Sequence, residues 1–313
     1  MSVGERTTGI VPRAGESSVQ ARPAAAAMAR RSLVAGLIGA GIQASRTPWM
    51  HEREGEHQGL RYVYKLIDLD RLGLDTAAVP DLITAAERLG FAGVNITHPC
   101  KHLAAGLVDE LREEAEAIGA INTILFRDGR RIGHNTDYTG FATAFRREMA
   151  DVARDVVLLV GAGGAGAAVA HALLALGTQR VLISDIDVAK AERLSTNLQK
   201  RFGAKSVAGA GQPSAVVGQA DGVVNTTPVG MDKYPGLPID AALLRPNLWV
   251  ADIIYFPAET ELLRQARERG CRTMSGIAMA VFQAVDAFRL FTGLDPDPER
   301  MRRHFEAIGG TEQ

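Results

Sequence analysis

The chain has 313 residues, 46% hydrophobic and 23% charged, with a formal net charge of -1; that is an ordinary globular composition, long enough for two domains. So even a balance of charge offers no field to steer the chain to nucleic acid or an anionic membrane, and a small-molecule partner is expected instead. Cys100 and Cys271 are too few for a disulfide framework and fit a reducing cytoplasm, while no apolar run approaches the ~20 residues of a membrane span.

Residues 1–32 are rich in Ala, Ser, Gly and Arg without an apolar period, which predicts a disordered extension belonging to no domain. "MARRSLVAGLIGAGI" imitates a twin-arginine export signal, but it runs on to Pro48 without a clean cleavage site and reads better as a first core strand. From Leu33 onward, strand-like "VAGLIGAG", "RYVYKLIDL" and "FAGVNIT" alternate with helix-like "DLITAAERLG" and "LVDELREEAEAIGA". That alternation predicts a parallel or mixed α/β sheet. "INTILF" and "RRIGHNTDYTGF" then read as a hairpin turning at Asp128-Gly129, followed by a helix from "GFATAFRREM".

"GVNITHPCK", Gly93 to Lys101, breaks at Pro99 and puts Lys101 in the first turn of a helix. A helix N-terminus carries partial positive charge, so an ammonium there is badly placed for stability. Either Lys101 is a solvated surface residue, or its proton is meant to be labile and the site is chemical. His98, Cys100 and His102 crowd around it, but Pro99 interrupts them and nothing closes a ligand set, so no metal is expected.

"DVVLLVGAGGAGAAVAHALLALG" runs an apolar strand into Gly161-Ala162-Gly163-Gly164-Ala165-Gly166 and then into an Ala-rich helix, and a second strand, "RVLISDID", ends at Asp185. This is the G-x-G-x-x-G dinucleotide fingerprint in context, with an acid about 20 residues on. The glycines permit a tight turn, close approach to a pyrophosphate and close helix packing. Asp185 should accept from a ribose 2'-hydroxyl and repel a 2'-phosphate, which favours NAD over NADP. Arg180, at the wrong end of its strand, and Lys190, a turn into the next helix, read as solvated charges. "ADGVVNTTPVGM", carrying Asn225, Thr226 and Thr227, and "LWVADIIYFPAETELL" are further strand-then-loop units, their loops at the carboxyl edge where a cofactor sits. The apolar helix from Gly276 carries one odd polar residue, Gln283, which either satisfies a backbone group or faces a polyol.

Taken in order, "SRTP", "NITHPCK", "GAINT", "GHNTD", "GAGGAG", "NTTPVGM", "IIYFPAETELL" and "GIAMAVFQAVDAF" resemble the shikimate dehydrogenase family, nearest its bacterial NAD-dependent quinate/shikimate branch. The resemblance implies an α/β fold of two domains. A substrate domain over 33–137 and 276–313 would clasp an inserted Rossmann domain over 138–275. It implies a catalytic pair, Lys101 and Asp137. Ser45 and Thr47 would hold a substrate carboxylate with help from Tyr255, and Thr97, Asn122 and Gln283 would bind ring hydroxyls. Gly161 to Gly166, Asp185, Asn225, Thr226, Thr227 and Gly276 would hold the cofactor. Thr97 also has a plainer reading as the cap of the helix after Pro99.

Oxidising a secondary alcohol agrees with that pair, because a hydride must leave carbon while a base takes the hydroxyl proton. A helix N-terminus would make Lys101 a better base, and Asp137 would oppose that; the sequence leaves the balance open. Ser45-Arg46-Thr47 replaces the Ser-x-Ser of biosynthetic members, and Asp185-Ile186-Asp187 replaces their 2'-phosphate clamp, Asn-Arg-Thr. Both departures imply NAD-dependent oxidation of quinate and shikimate at the C3 hydroxyl. The alternatives are a biosynthetic NADP enzyme and a non-catalytic NAD-binding sensor. His98 and His134 lie beside the motifs and read as local hydrogen-bonding residues rather than proton relays. A cytoplasmic monomer or homodimer is expected.

Overall fold

In the computed structural model the described residues are Met1, 31–203, 213–307 and the backbone of Ser206–Ala208, so the expectation for residues 1–32 lies almost wholly outside them. The first sheet contains β1 (Ser32–Gly39), β2 (Arg61–Asp68), β3 (Gly93–Ile96), β4 (Glu110–Leu111), β5 (Thr123–Arg127) and β6 (Arg130–His134), in the order β2-β1-β3-β5-β6-β4. β1 pairs in parallel with β2 and β3, whereas β5 runs antiparallel to both β3 and β6. The hairpin turns at Asp128 (φ 53°) and Gly129 (φ 70°) as expected; two successive positive φ angles match the right-handed twist of the flanking strands. Between the strands lie helices α1 (Thr47–His57), α2 (Leu69–Leu72), α3 (Val79–Arg88), α4 (Lys101–Ala105) and α5 (Glu113–Ile118), and α6 (Thr136–Glu148) leads out.

The second sheet contains β7 (Val156–Val160), β8 (Arg180–Ser184), β9 (Ser206–Ala208), β10 (Gly222–Asn225), β11 (Trp249–Asp252) and β12 (Arg272–Met274). Its order, β12-β11-β10-β7-β8-β9, is parallel throughout. This is the doubly wound arrangement of a Rossmann fold, with its topological switch point between β7 and β10. Helices α7 (Gly164–Ala175), α8 (Val188–Phe202) and α9 (Glu261–Glu268) cover it, and α10 (Gly276–Thr292) and α11 (Pro298–Ala307) return to the first sheet. The fold is therefore mixed α/β with two sheets, as expected. Among the described residues no helix is long and apolar enough to cross a membrane.

The central strands of each sheet are buried on both faces and read as near-continuous apolar runs, whereas Arg61, Val63 and Lys65 of the edge strand β2 are exposed. Ala35, Tyr62, Tyr64 and Leu125 lie under Phe288, Phe291 and Phe305 of α10 and α11, and Ile38, Val94 and Ile124 lie under Ile83 and Ala104 of α3 and α4. In the second sheet, Leu159, Ile183 and Val224 pack beneath Phe141, Phe145 and Leu173, and Leu158, Val223 and Val250 beneath Leu262 and Leu263. Helix α10 joins two cores, giving Met279 and Phe282 to the second sheet and Ala284 and Phe288 to the first. It crosses α6 so closely that a Cβ on Gly140 would lie 2.8 Å from the backbone nitrogen of Gln283. Arg300 of α11 grips Glu54 of α1 through both carboxylate oxygens, at 2.6 and 2.7 Å.

The expectation for Arg180 needs correcting. It starts β8 at the end away from the switch-point loops, as expected, but it is half-buried rather than solvated and donates to Gln219 at 3.2 Å. Lys190 is exposed.

Candidate active site

Strand β3 ends at Ile96, and the chain turns through Thr97 to Cys100 before α4 starts at Lys101. Lys101 thus occupies the first helical position, as expected, but α4 is a single turn of five residues and supplies little dipole. The charge beside Lys101 is a carboxylate: its Nζ lies 2.5 Å from Asp137 Oδ2, with side-chain exposures of 17% and 5%. Asp137 sits in the first turn of the longer α6, where the helix dipole favours an anion. Asn135 caps that helix by accepting from the Tyr138 N–H at 3.1 Å.

Asn122 joins this pair from the tip of β5. Its Nδ2 donates to Asp137 Oδ1 (3.0 Å) and to Thr136 Oγ1 (2.9 Å), and its Oδ1 accepts from the Thr136 N–H at 2.7 Å. Both amide hydrogens of Asn122 therefore bond protein atoms in this structure. Thr123 and Asn95 continue the same buried cluster, and Tyr64 Oη donates to Asn95 at 2.6 Å. Sequence reasoning missed these residues; the available signal was an asparagine in the middle of the apolar strand "FAGVNIT". Thr97 does not cap α4, whose cap position is Cys100 with no side-chain hydrogen bond; Thr97 itself is half-buried.

Ser45 and Thr47 lie together at the start of α1, Ser45 Oγ donating to Thr47 Oγ1 at 3.1 Å. Arg46 between them bonds the Phe305 carbonyl at 3.1 Å and stacks its guanidinium over Phe305 and Phe256, 5.1 and 5.6 Å from the ring centres. Phe256 follows Tyr255 on the loop after β11, so Arg46 brings that loop to the Ser45/Thr47 corner. Tyr255 meets Phe305 edge to face, ring centres 5.7 Å apart. Burial, then the Asp137 carboxylate, push its hydroxyl above the ordinary tyrosine range, with Arg46 opposing. Gln283 is half-buried on α10, against Gly140, one turn along α6 from Asp137. Burial lowers His134 to about 4, with Arg112 and Arg127 adding to the effect and Glu110 opposing it, so it is neutral at neutral pH. Cys100 is fully buried while His98 and His102 are exposed, so the trio does not converge as a ligand set.

At the switch point the glycine loop has the shape its spacing predicts. Gly161 has φ 104°, which only glycine adopts without strain. A Cβ on Gly166 would lie 2.1 Å from the Gly161 carbonyl, so α7 packs directly on the loop. A Cβ on Gly163 would meet nothing within 4 Å, so the approach to the α7 N-terminus is open to an anion. Asp185 braces this cradle, accepting from the Ala162 N–H at 2.7 Å and the Asp187 N–H at 2.8 Å. Ala165 lies in the first turn of α7. Thr226 Oγ1 sits 2.7 Å from the Gly161 carbonyl and Thr227 Oγ1 donates to Asn225 at 2.7 Å. Asn225 itself is fully buried, and its amide bonds the Val229 carbonyl and Asp252, so it shapes the loop from below. Gly276 lies where a Cβ would be 2.3 Å from the Ile253 carbonyl, locking α10 against the loop that carries Tyr255.

The cradle and the ion pair are neighbours. A Cβ on Gly164, the first residue of α7, would lie 3.6 Å from His102 Nε2 and 3.7 Å from Lys101 Cδ. An open phosphate cradle, braced by a strand-end acid and ending beside a lysine, fits a dinucleotide.

Known proteins resemble this chain in sequence and fold. Residues 37–124 match the family model of the shikimate dehydrogenase substrate binding domain, and residues 276–304 that of the shikimate 5'-dehydrogenase C-terminal domain. A shikimate dehydrogenase (NADP(+)) from Streptomyces avermitilis is 52% identical over 286 residues, covering 91% of this chain and 98% of that protein. This chain belongs to the shikimate dehydrogenase family. Within the family, a quinate/shikimate dehydrogenase (NAD(+)) from Corynebacterium efficiens is 46% identical over 88% of this chain and 99% of its own length. Quinate dehydrogenase from Corynebacterium glutamicum in complex with NAD superposes with a TM-score of 0.83 at 43% identity, covering 89% of this chain and 100% of that one. Shikimate dehydrogenase family members with either nicotinamide dinucleotide in their names are thus close to this chain.

Proposed function

We propose that this shikimate dehydrogenase family member reversibly oxidises quinate and shikimate at the C3 hydroxyl to 3-dehydroquinate and 3-dehydroshikimate, with NAD as the hydride acceptor. The observation that carries this reading is the Lys101–Asp137 contact at 2.5 Å beside the open N-terminus of α7. When bound, NAD supplies the electrophilic ring carbon that takes the hydride. The other work falls to side chains. Lys101, held by Asp137, takes the hydroxyl proton as the hydride leaves carbon and returns one to the carbonyl oxygen in reverse. Ser45 and Thr47 orient the substrate carboxylate with Tyr255, and Thr97 and Gln283 meet the ring hydroxyls; buried donors of this kind reject analogues lacking those groups. Asn122 orients Asp137.

NAD rather than NADP is favoured by Asp185 and Asp187, two carboxylates at the end of β8 where a 2'-phosphate would have to lie. A biosynthetic NADP-dependent shikimate dehydrogenase is the second reading, favoured by the name of the 52% identical relative. Initial rates for quinate and shikimate, each with NAD and NADP, separate the two. Turnover of both acids with NAD supports the first reading, and shikimate turnover confined to NADP supports the second. Lys101→Ala is expected to lower kcat by on the order of 10²–10⁴ while NAD affinity changes less than twofold. Equal losses in kcat and NAD affinity would refute the role given to Lys101.

A further inference from the structure

A line of buried hydrogen bonds runs from β2 to the ion pair, and every donor in it points the same way. Tyr64 Oη donates to Asn95 Oδ1 (2.6 Å), Asn95 Nδ2 to Thr123 Oγ1 (2.8 Å), Thr123 Oγ1 to Asn122 Oδ1 (3.1 Å) and Asn122 Nδ2 to Asp137 Oδ1 (3.0 Å). Relative exposures along the line are 4, 9, 0, 5 and 3%. Sheet register builds it. Tyr64 is level with Ala35 on β1, and the tyrosine reaches past that small residue to Asn95 on β3. Asn95 is in turn directly opposite Thr123 on β5.

A stable sheet does not call for this line, because apolar residues at those strand positions would avoid the penalty of burying polar groups. Its end point is informative. It terminates on Oδ1 of Asp137, and Lys101 takes Oδ2. Aligned donors polarise one another in a low-dielectric interior, so the last donor holds the carboxylate in the one rotation that presents Oδ2 to Lys101. We propose that Tyr64, Asn95 and Thr123 are positioning residues that fix Asp137 against Lys101 through Asn122. This rests on the proposed role of the Lys101–Asp137 pair.

Thr123→Val tests it in the full chain, removing one hydroxyl at nearly constant volume. Asn95 Nδ2 keeps the Asn122 carbonyl (3.3 Å) and Asn122 Oδ1 keeps the Thr136 N–H (2.7 Å), so the fold has partners to fall back on. The kcat for shikimate oxidation is expected to fall about five- to tenfold, the equivalent of one net hydrogen bond. KM for shikimate should stay within twofold, and Thr123→Ser should restore kcat to within twofold of wild type. Adding Thr123→Val to Asp137→Asn should change kcat less than twofold further, since the line acts through Asp137. Tyr64→Phe, one step further out, should lower kcat by about two- to fivefold at constant KM and serves should Thr123→Val not fold. Wild-type kcat in Thr123→Val, failure of Thr123→Ser to restore it, or a full multiplicative loss in the Asp137→Asn background would overturn the proposal. Unaltered turnover in Lys101→Ala would refute the ion pair's role and the positioning line with it, whereas a collapse there beside a normal Thr123→Val refutes the line alone.

Discussion

His51 has no acceptable way to carry charge. It is fully buried, its ring centre lying 4.8 Å from Tyr64, 5.7 Å from Tyr62, 5.9 Å from Phe288 and 6.2 Å from Phe291. Nδ1 meets the Tyr62 hydroxyl at 3.0 Å, and Nε2 has no partner. Burial lowers the imidazole from 6.5 to about 3. Between those two values the unfolded chain binds a proton that the folded chain refuses, so stability rises with pH across the window and is lost as pH falls. Each pH unit is worth about 1.4 kcal/mol, so the step from pH 6.5 to 4.5 removes roughly 2.5 kcal/mol through this one residue. In His51→Gln an amide can bond the Tyr62 hydroxyl in either direction but does not titrate. Urea unfolding of both proteins at pH 6.5 and 4.5 gives the comparison, and other titrating groups cancel because they are common to both. Wild type is expected to lose about 2.5 kcal/mol more than the variant over that step. The same loss in both would refute the assignment of the pH dependence to His51.

Gly166→Ala would drive a methyl into the Gly161 carbonyl; a rise in Kd for NADH by fluorescence titration of at least tenfold and a stability loss of about 1–3 kcal/mol are expected. Asp185→Asn removes a negative charge while keeping an acceptor for the glycine loop, and the ratio of kcat/KM with NADP to that with NAD should rise about tenfold. Arg300→Ala leaves Glu54, fully buried, without its counter-ion; urea unfolding should show a loss of about 3 kcal/mol, with turnover little changed per folded molecule.

How far the site could be read in advance depended on whether its determinants are local. Asp128-Gly129 and the Gly161–Gly166 loop carry their geometry in a few consecutive residues, because only certain residues accept those backbone angles. Lys101 announced itself by standing at a helix start, and Asp137 followed from resemblance. Tyr64, Asn95 and Thr123 stayed silent for the opposite reason. They come from three strands, and although Asn95 is odd in an apolar strand, nothing names its partners until the order β2-β1-β3-β5 puts them within reach of one another. The same holds for Arg46: nothing in "SRTP" says that its guanidinium will rest on Phe256 and Phe305, more than 200 positions away. Arg180 was misjudged because exposure was inferred from its charge, whereas its place on β8 half-buries it. Thr97 lost its expected capping role because α4 begins one turn later than a cap at that position requires.

The crossing of α6 and α10 at Gly140 has a consequence for how this molecule can be altered. The chain leaves the first sheet through one of these helices and comes back through the other, and everything that makes up the second sheet is strung between two points that touch. Such a segment is a removable cassette. Exchanging the stretch from β7 to β12 with that of a relative requires the crossing to be matched, where Gly140 must stay small and Met279 and Phe282 must find their sockets, and also the places where Phe141, Phe145 and Arg46 rest on the exchanged stretch. Dinucleotide preference should travel with the cassette, while recognition of the acid stays with the frame that receives it, except for the carboxylate contact given to Tyr255, which travels too.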